Sequence, residues 1–280
     1  MDVTAYLARL GRTDLAGAPP DLDTLIELHR AHVERVPYEV LEIWLRRPTS
    51  LDPLVSAARI LSGRGGYCYH LNGAFSTLAE AFGFEVVKHA GGVQGHGDEP
   101  EVTDSHLALT VRLPDGEWLV DLGLGDALHE PIPLEEGTYR QGPFVFGLRR
   151  SEVAPGGWRF EHDPAGSFVG MDFEPTPTTM SRFIAKHHEL STESHFTRVA
   201  VVQRRDATGV DLLRGLVFDR VGDRTHRVTL ASRQDYVDTL ADVFGLHLAP
   251  EDRPVLWERV RAAHENWLAA QAARTAEASL

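Results

Sequence analysis

The chain has 280 residues, one cysteine, 41 acidic against 28 basic side chains and a formal net charge of −13, enough length for one large domain or two to three small ones held by packing alone. A lone thiol excludes an internal disulfide and points to a reducing cytoplasm, and the charge gives nucleic acid no general reason to bind. No apolar run approaches the roughly 20 residues of a membrane span, and the polar start MDVTAYLARLGRTDL has no signal-peptide core, so a cytoplasmic protein is expected.

The first third reads as helical. DLDTLIELHRAHVERVPY carries Leu22, Leu25, Ile26, Leu28, His29, His32, Val33 and Val36 on one broad stripe, opened by Asp21 and Asp23 and closed by Pro37. LDPLVSAARILSG is a second helix with Gly63 as its stop. Leu71, Phe75, Leu78, Ala79 and Phe82 then follow helical spacing up to Gly83, which puts Cys68 in the first turn of a third helix.

From Phe84 the texture changes. FEVVKHAGGV, HLALTVRL, EWLVDLGLG, PFVFGLRR and WRFEH are short β-rich segments between Pro, Gly and Asp, the pattern of an antiparallel barrel or sandwich. FEPTPTTM reads as turn, FTRVAVVQRR, LRGLVFDRV and HRVTLA as three strands, and RQDYVDTLADVFGLHL and PEDRPVLWERVRAAHENWLAAQAARTAEA as two C-terminal helices. The order is helices, a β domain, then a mixed segment.

The glycines Gly63, Gly65 and Gly66 before Cys68 allow a sharp turn and close approach of a ligand. A helix N-terminus favours a thiolate there over a thiol. A reactive cysteine needs a base and an orienter. His106 heads one β segment and Asp121 ends the next. If the intervening loop runs from Leu113 to Gly116, Arg112 faces Glu117, Leu109 faces Val120, and Asp121 lies on the face of His106, one diagonal step of roughly 7–8 Å away. A three-residue loop would flip the faces and separate the pair. Each residue also has a plainer reading: Cys68 as a small buried hydrophobe, His106 as a strand-edge donor, Asp121 as a turn former.

GRGGYCYHLN resembles the nucleophile motif of the arylamine N-acetyltransferases, and SHLALTV and WLVDLGLGD resemble that family's histidine and aspartate segments. LHRAHVERVPYEVLEI and HHELSTESHFTRVAVVQR extend the likeness over residues 5 to 260, in family order. The resemblance implies an α+β fold with a cysteine-protease-like arrangement: a helical bundle over residues 1–83 carrying the nucleophile, an antiparallel β-barrel over 84–190 carrying the other two triad members, and an interdomain segment with an α/β lid over 191–280. It implies Cys68, His106 and Asp121 as a catalytic triad, acetyl-CoA as co-substrate without a metal, and an arylamine or arylhydrazine acceptor acylated by a ping-pong mechanism. Tyr38, Tyr69, Leu124 and Phe196 would then wall the acyl and acceptor pocket, and Thr103, Asp104 and Gly125 would lie near the coenzyme. The implied partners are the small-molecule amine and the acyl-CoA donor, with no nucleic acid or membrane, for a monomer or homodimer.

Three positions depart from the family pattern: Val40 where asparagine is usual, His70 where bacterial members carry glutamate, and Leu124 where an aromatic is usual. They bear on donor and acceptor choice. A natural-product N-acyltransferase or amide synthase, a cysteine hydrolase, and a binding module without activity are the competing readings. His29 with His32, and His187 with His188, lack zinc-site spacing and read as solvated or core-edge histidines. GGVQGHG, residues 91 to 97, reads as a mobile loop, and AAQAARTAEASL as a fraying tail.

Overall fold

The computed structural model describes residues 1–277, with side chains up to Arg274. The N-terminal helices form where caps permit. Helix α1 (Val3–Leu10) is capped by Asp2 and closed by Gly11 in the left-handed region, and α2 (Leu22–Arg35) starts at Asp21, which accepts from Thr24 N at 2.9 Å. A two-residue strand β1 (Tyr38–Glu39) and the short α3 (Leu41–Trp44) lead to α4 (Pro53–Leu61), with Asp52 as cap and Gly63 at φ +85° beyond its end. The central helix α5 (Cys68–Phe82) ends at Gly83, φ +96°. Its buried stripe, Leu71, Phe75, Leu78 and Ala79, joins Leu25, Leu28 and Ile60 in the main apolar core.

Eight antiparallel strands follow in the order β5-β4-β3-β2-β9-β8-β7-β6, a nearly closed barrel-like sheet. They are β2 (Glu85–Gln94), β3 (His106–Leu113), β4 (Gly116–Val120), β5 (Ile132–Pro133), β6 (Gly137–Gln141), β7 (Phe144–Arg150), β8 (Trp158–Glu161) and β9 (Gly170–Pro177). Ala108, Leu119, Phe146, Phe160, Met171 and Phe173 fill a second core. Helix α6 (Ile184–Thr192) leads to a second sheet, ordered β1-β10-β11-β12-β13, made of β10 (Val201–Asp206), β11 (Gly209–Arg214), β12 (Val217–Gly222) and β13 (His226–Thr229). Two helices complete the chain: α7 (Arg233–Asp238), continued by a π turn over Thr239–Val243, and α8 (Asp252–Glu277).

The hairpin on which the His106–Asp121 geometry depends has the expected register: Leu109 faces Val120, Arg112 faces Glu117 and Leu113 faces Gly116. Other expectations need correcting. LRGLVFDRV is two strands, because Gly215 at φ +60° turns the chain between β11 and β12. FEPTPTTM is strand as far as Pro177. Pro175 escapes the penalty of a missing N–H because the β2–β9 ladder slips between His89 and Gly91, beside it. Gly91 to Gln94 belong to β2 rather than to a loop. A Cβ at Gly92 would stand 2.1 Å from the Glu101 carbonyl oxygen, so the glycine admits the crossing loop.

Two devices tie the second sheet to the rest. β1, from the helical third, pairs with β10 (Tyr38 to Gln203, Glu39 to Val202). The fully buried Arg205 donates to the carbonyls of Ala127, Gly209 and Gln141 at 3.1, 3.0 and 2.9 Å and lies 4.7 Å over the Phe144 ring. Among the described residues no helix is long and apolar enough to cross a membrane. The alanine-rich tail is helical to Glu277, and its last three residues lie outside the described residues.

Candidate active site

The loop before Cys68 is locked by charge and by the lack of side chains. Buried Glu39 pairs with Arg59 and Arg64; burial opposes its charge, but the two guanidiniums and the Leu41 N–H hold its carboxyl below the usual range. Arg59 also donates to the Gly65 carbonyl at 2.6 Å, and Glu39 N donates to Gly66 O at 2.9 Å. A Cβ at Gly65 would sit 1.9 Å from the Pro37 oxygen, and one at Gly66 2.5 Å from the His70 Cβ. Both positions therefore require glycine. Helix α5 starts at the next turn, with Tyr67 as its cap and Cys68 as its first residue. His70, three residues past the cap, accepts from Tyr67 N through Nδ1 at 3.3 Å, half of a capping box with imidazole in the place of a carboxylate. Burial lowers its pKa to about 3, so it stays neutral.

Cys68, 4% exposed, contacts the Ser105 carbonyl at 3.6 Å and His106. His106 bonds Asp121 from Nε2 to Oδ2 at 2.7 Å, which leaves its other ring nitrogen for the sulfur. Both side chains are buried. Burial works against the imidazolium, yet the Asp121 carboxylate and then the Cys68 sulfur more than offset it, raising His106 from 6.5 to about 10. The arrangement holds a proton on the ring beside the sulfur.

Two residues that the sequence reading passed over complete this frame. Asn72, one turn along α5 and fully buried, donates from Nδ2 to Leu107 O at 2.6 Å and to Asp121 Oδ1 at 2.9 Å, and accepts from Leu122 N at 2.9 Å. Gly123 N donates to the same Asp121 oxygen at 2.9 Å, and its backbone presses on the start of α5: a Cβ there would stand 2.6 Å from Cys68 Cα. The i, i+4 spacing of Cys68 and Asn72 was the available signal. His29 lies fully buried between the carbonyls of His129 and Asp121, at 3.0 and 3.2 Å, with its pKa lowered to about 4 by burial. His29 and the equally buried His32 are thus core residues rather than solvated ones.

Around the sulfur stand aromatic rings. Phe196 stacks obliquely on Tyr67 at 5.3 Å and edge-on to Tyr38 at 6.5 Å, and Tyr67 lies tilted against Tyr69 at 5.6 Å. Leu124 packs in the barrel's apolar cluster, with Ala127, Leu128 and Phe144. Asp104 adopts the left-handed region at φ +58°, held there by Tyr69 Oη donating to its carbonyl at 2.6 Å and by Arg182 bonding its carboxylate at 2.9 Å. Thr103 donates to Ser105 Oγ at 2.8 Å, and Gly125, φ +72°, lies against Gln203 and Tyr38. Of the discounted histidines, His187 accepts from Tyr67 Oη at 2.5 Å and donates to Thr49 O at 3.0 Å. Val40 is a core residue beside β10.

A helical base carrying the sulfur, a barrel carrying imidazole and carboxylate, and a second sheet closing the aromatic wall meet at one site, the kind of arrangement an acyl-transferring enzyme uses. A family model described as N-acetyltransferase matches residues 21–253. The chain is 39% identical over 262 residues to an arylamine N-acetyltransferase of Mycolicibacterium smegmatis, covering 89% of this chain and 93% of the relative. It is 34% identical over 158 residues to the proansamycin X synthase of Amycolatopsis mediterranei (strain S699), 54% of this chain and 60% of that one. The structure of Mycobacterium marinum arylamine N-acetyltransferase in complex with CoA superposes with a TM-score of 0.82 at 26% identity, covering 92% of this chain and 98% of the other. The chain belongs to the arylamine N-acetyltransferase family, and it is an acyltransferase.

Proposed function

We propose that the protein transfers an acetyl group from acetyl-CoA to an arylamine through an acetyl-Cys68 intermediate, with His106 and Asp121 completing the triad. The observation that carries this reading is the buried chain from sulfur to imidazole to carboxylate, with His106 raised to about 10.

In the resting site the proton sits on His106 and the negative charge on Cys68. The sulfur attacks the thioester carbonyl, and the N–H groups of Cys68 and Tyr69, ahead of the His70 N–H that already bonds Tyr67 O at 2.8 Å, supply donors for the oxyanion. Collapse expels the coenzyme sulfur, which takes the proton from His106. One thioester replaces another, so this half-reaction is nearly balanced. Acetylation also removes one of the two negative charges that hold the proton on the ring. The neutral ring then takes a proton from the attacking amine, Cys68 departs as thiolate, and the starting ion pair is restored. Asp121 fixes the tautomer throughout. An arylamine is weakly basic and neutral near pH 7, so it arrives with its lone pair free.

By resemblance to the family, Tyr38, Tyr69, Leu124 and Phe196 wall the acyl and acceptor pocket. The loop at Thr103 and Asp104, with Gly125, faces the coenzyme. The division into parts at residues 83 and 190 belongs to the same proposal. The likeness to proansamycin X synthase favours one second reading, closure of an amide on a bound acyl chain by the same triad. Intact-protein mass spectrometry after exposure to a panel of acyl-CoA donors tests both. An acetyl mass on the parent, absent from Cys68→Ala and discharged by an arylamine, supports the first; loading only by longer donors favours the second; no adduct removes both.

A further inference from the structure

Asn72, Gly123 and His106 hold the Asp121 carboxylate, but the Asp121 main chain lies past the end of a strand. β4 stops at Val120, and its pairing with β5 covers only Trp118 with Pro133 and Leu119 with Ile132. Beyond that short ladder the Asp121 and His129 carbonyls both meet the ring of His29, which enters from α2 and is fully buried. Nδ1 lies 3.0 Å from His129 O, and Nε2 lies 3.2 Å from Asp121 O. No backbone N–H among the described residues reaches either oxygen. Both oxygens are acceptors, and a neutral imidazole has a single N–H to offer. Burial keeps this ring neutral, with its pKa lowered to about 4. One carbonyl therefore receives the hydrogen, and the other meets a lone pair.

The charges at the two ends of the ring decide which. Nε2 faces the residue that carries the triad carboxylate, and Asp121 favours positive charge on the ring, whereas Nδ1 faces His129, which opposes it. The hydrogen belongs on Nε2. We propose that His29 is a positioning residue for acyl transfer: its Nε2–H donates to the Asp121 carbonyl and pins the main chain from which the triad carboxylate reaches His106; this rests on the acetyl-transfer reading above. The bond does for Asp121 what a neighbouring strand does for a ladder residue, and it comes from a helix 92 positions earlier. With the main chain pinned and Oδ1 tied to Asn72 and Gly123, Oδ2 is left in one place, 2.7 Å from the His106 ring. The titratable neighbours of His29 are His32 on its own helix, His129 and Asp121, and α5 presents the Phe75 ring edge-on at 6.2 Å.

Nitrogen NMR of the histidine-labelled parent reads the tautomer directly. Hydrogen on Nε2 of His29 is expected, and hydrogen on Nδ1 overturns the proposal. A second test sets His29→Gln, whose amide nitrogen stands where Nε2 stood, against His29→Asn, whose amide nitrogen stands where Nδ1 stood. Each removes one ring from the core, so a merely structural histidine would leave the two variants alike in every readout. In its positioning role, His29 gives a different result: the alkaline titration of His106, followed by proton NMR, holds in His29→Gln and moves toward acid in His29→Asn. Acylation, read as coenzyme release in stopped flow, is then about fivefold slower in His29→Asn than in His29→Gln, the worth of one neutral hydrogen bond. Identical titration of His106 in the two variants, or a parent-like site in His29→Asn alone, overturns the proposal. The acetyl adduct on the parent is read separately, so failure of the acetyl-transfer reading shows as no adduct, and failure of the positioning reading as an adduct with indistinguishable variants.

Discussion

Replacing Gly123 by alanine measures how tightly the barrel grips Cys68. The added methyl would stand 2.6 Å from Cys68 Cα, 2.7 Å from its Cβ and 3.0 Å from Asn72 Nδ2. Carbon atoms rest about 3.5–4.0 Å apart, so the start of α5 and the loop after β4 must separate by about 1 Å. Neither side yields easily, since Asn72 and Asp121 tie them together by hydrogen bonds of 2.9 Å. Overpacking of this kind costs about 1–3 kcal/mol of stability. The larger effect falls on chemistry, because a shift of about 1 Å between reacting groups can cost roughly 100-fold, or about 2.7 kcal/mol of barrier. Stopped-flow release of coenzyme on mixing with acetyl-CoA isolates acylation, and a thermal melt reports stability. We expect the acylation rate to fall roughly 100-fold with a folded protein. A rate within threefold of the parent, in a protein that melts where the parent melts, would refute the reasoning.

Other outcomes follow from the same geometry. Cys68→Ala should abolish acyl transfer and leave the circular dichroism of the parent, since it removes one small atom from a packed site. Asn72→Ala leaves Leu107 O and Leu122 N without the amide's hydrogen bonds and should cost about 2–6 kcal/mol in urea unfolding, at roughly 1–3 per orphaned group; a cost below 1 kcal/mol would mean water replaces the amide. His106, raised from 6.5 to about 10, stabilises the fold fully below pH 6.5, and that contribution is lost as pH rises through 10. The acylation rate should fall over the same alkaline window, as the imidazolium that protonates the departing coenzyme disappears. Asp121→Asn removes the largest cause of the rise and leaves burial to act, so the break should move toward acid; a break that stays in place would show that Asp121 does not hold the proton.

Much was readable in local sequence. The helix start at Asp21, glycine stops at Gly63 and Gly83, and the Arg112–Glu117 register of one hairpin are decided within a few residues, because turns and caps are satisfied by near neighbours. That hairpin was enough to set His106 and Asp121 on one face. Glycine before the sulfur and helical spacing after it marked Cys68 as exceptional.

Tertiary structure decided the rest. Nothing near Tyr38 announces that it will pair with Gln203, 165 positions along the chain, and only that pairing turns an isolated dipeptide into a strand. Gly123 matters through a sulfur-bearing helix 55 residues earlier, and His187 through a hydroxyl 120 residues away. These contacts join segments whose spacing carries no period, so no pattern in the chain encodes them. Local sequence set sulfur, imidazole and carboxylate each on its own element; long-range packing decided that they meet.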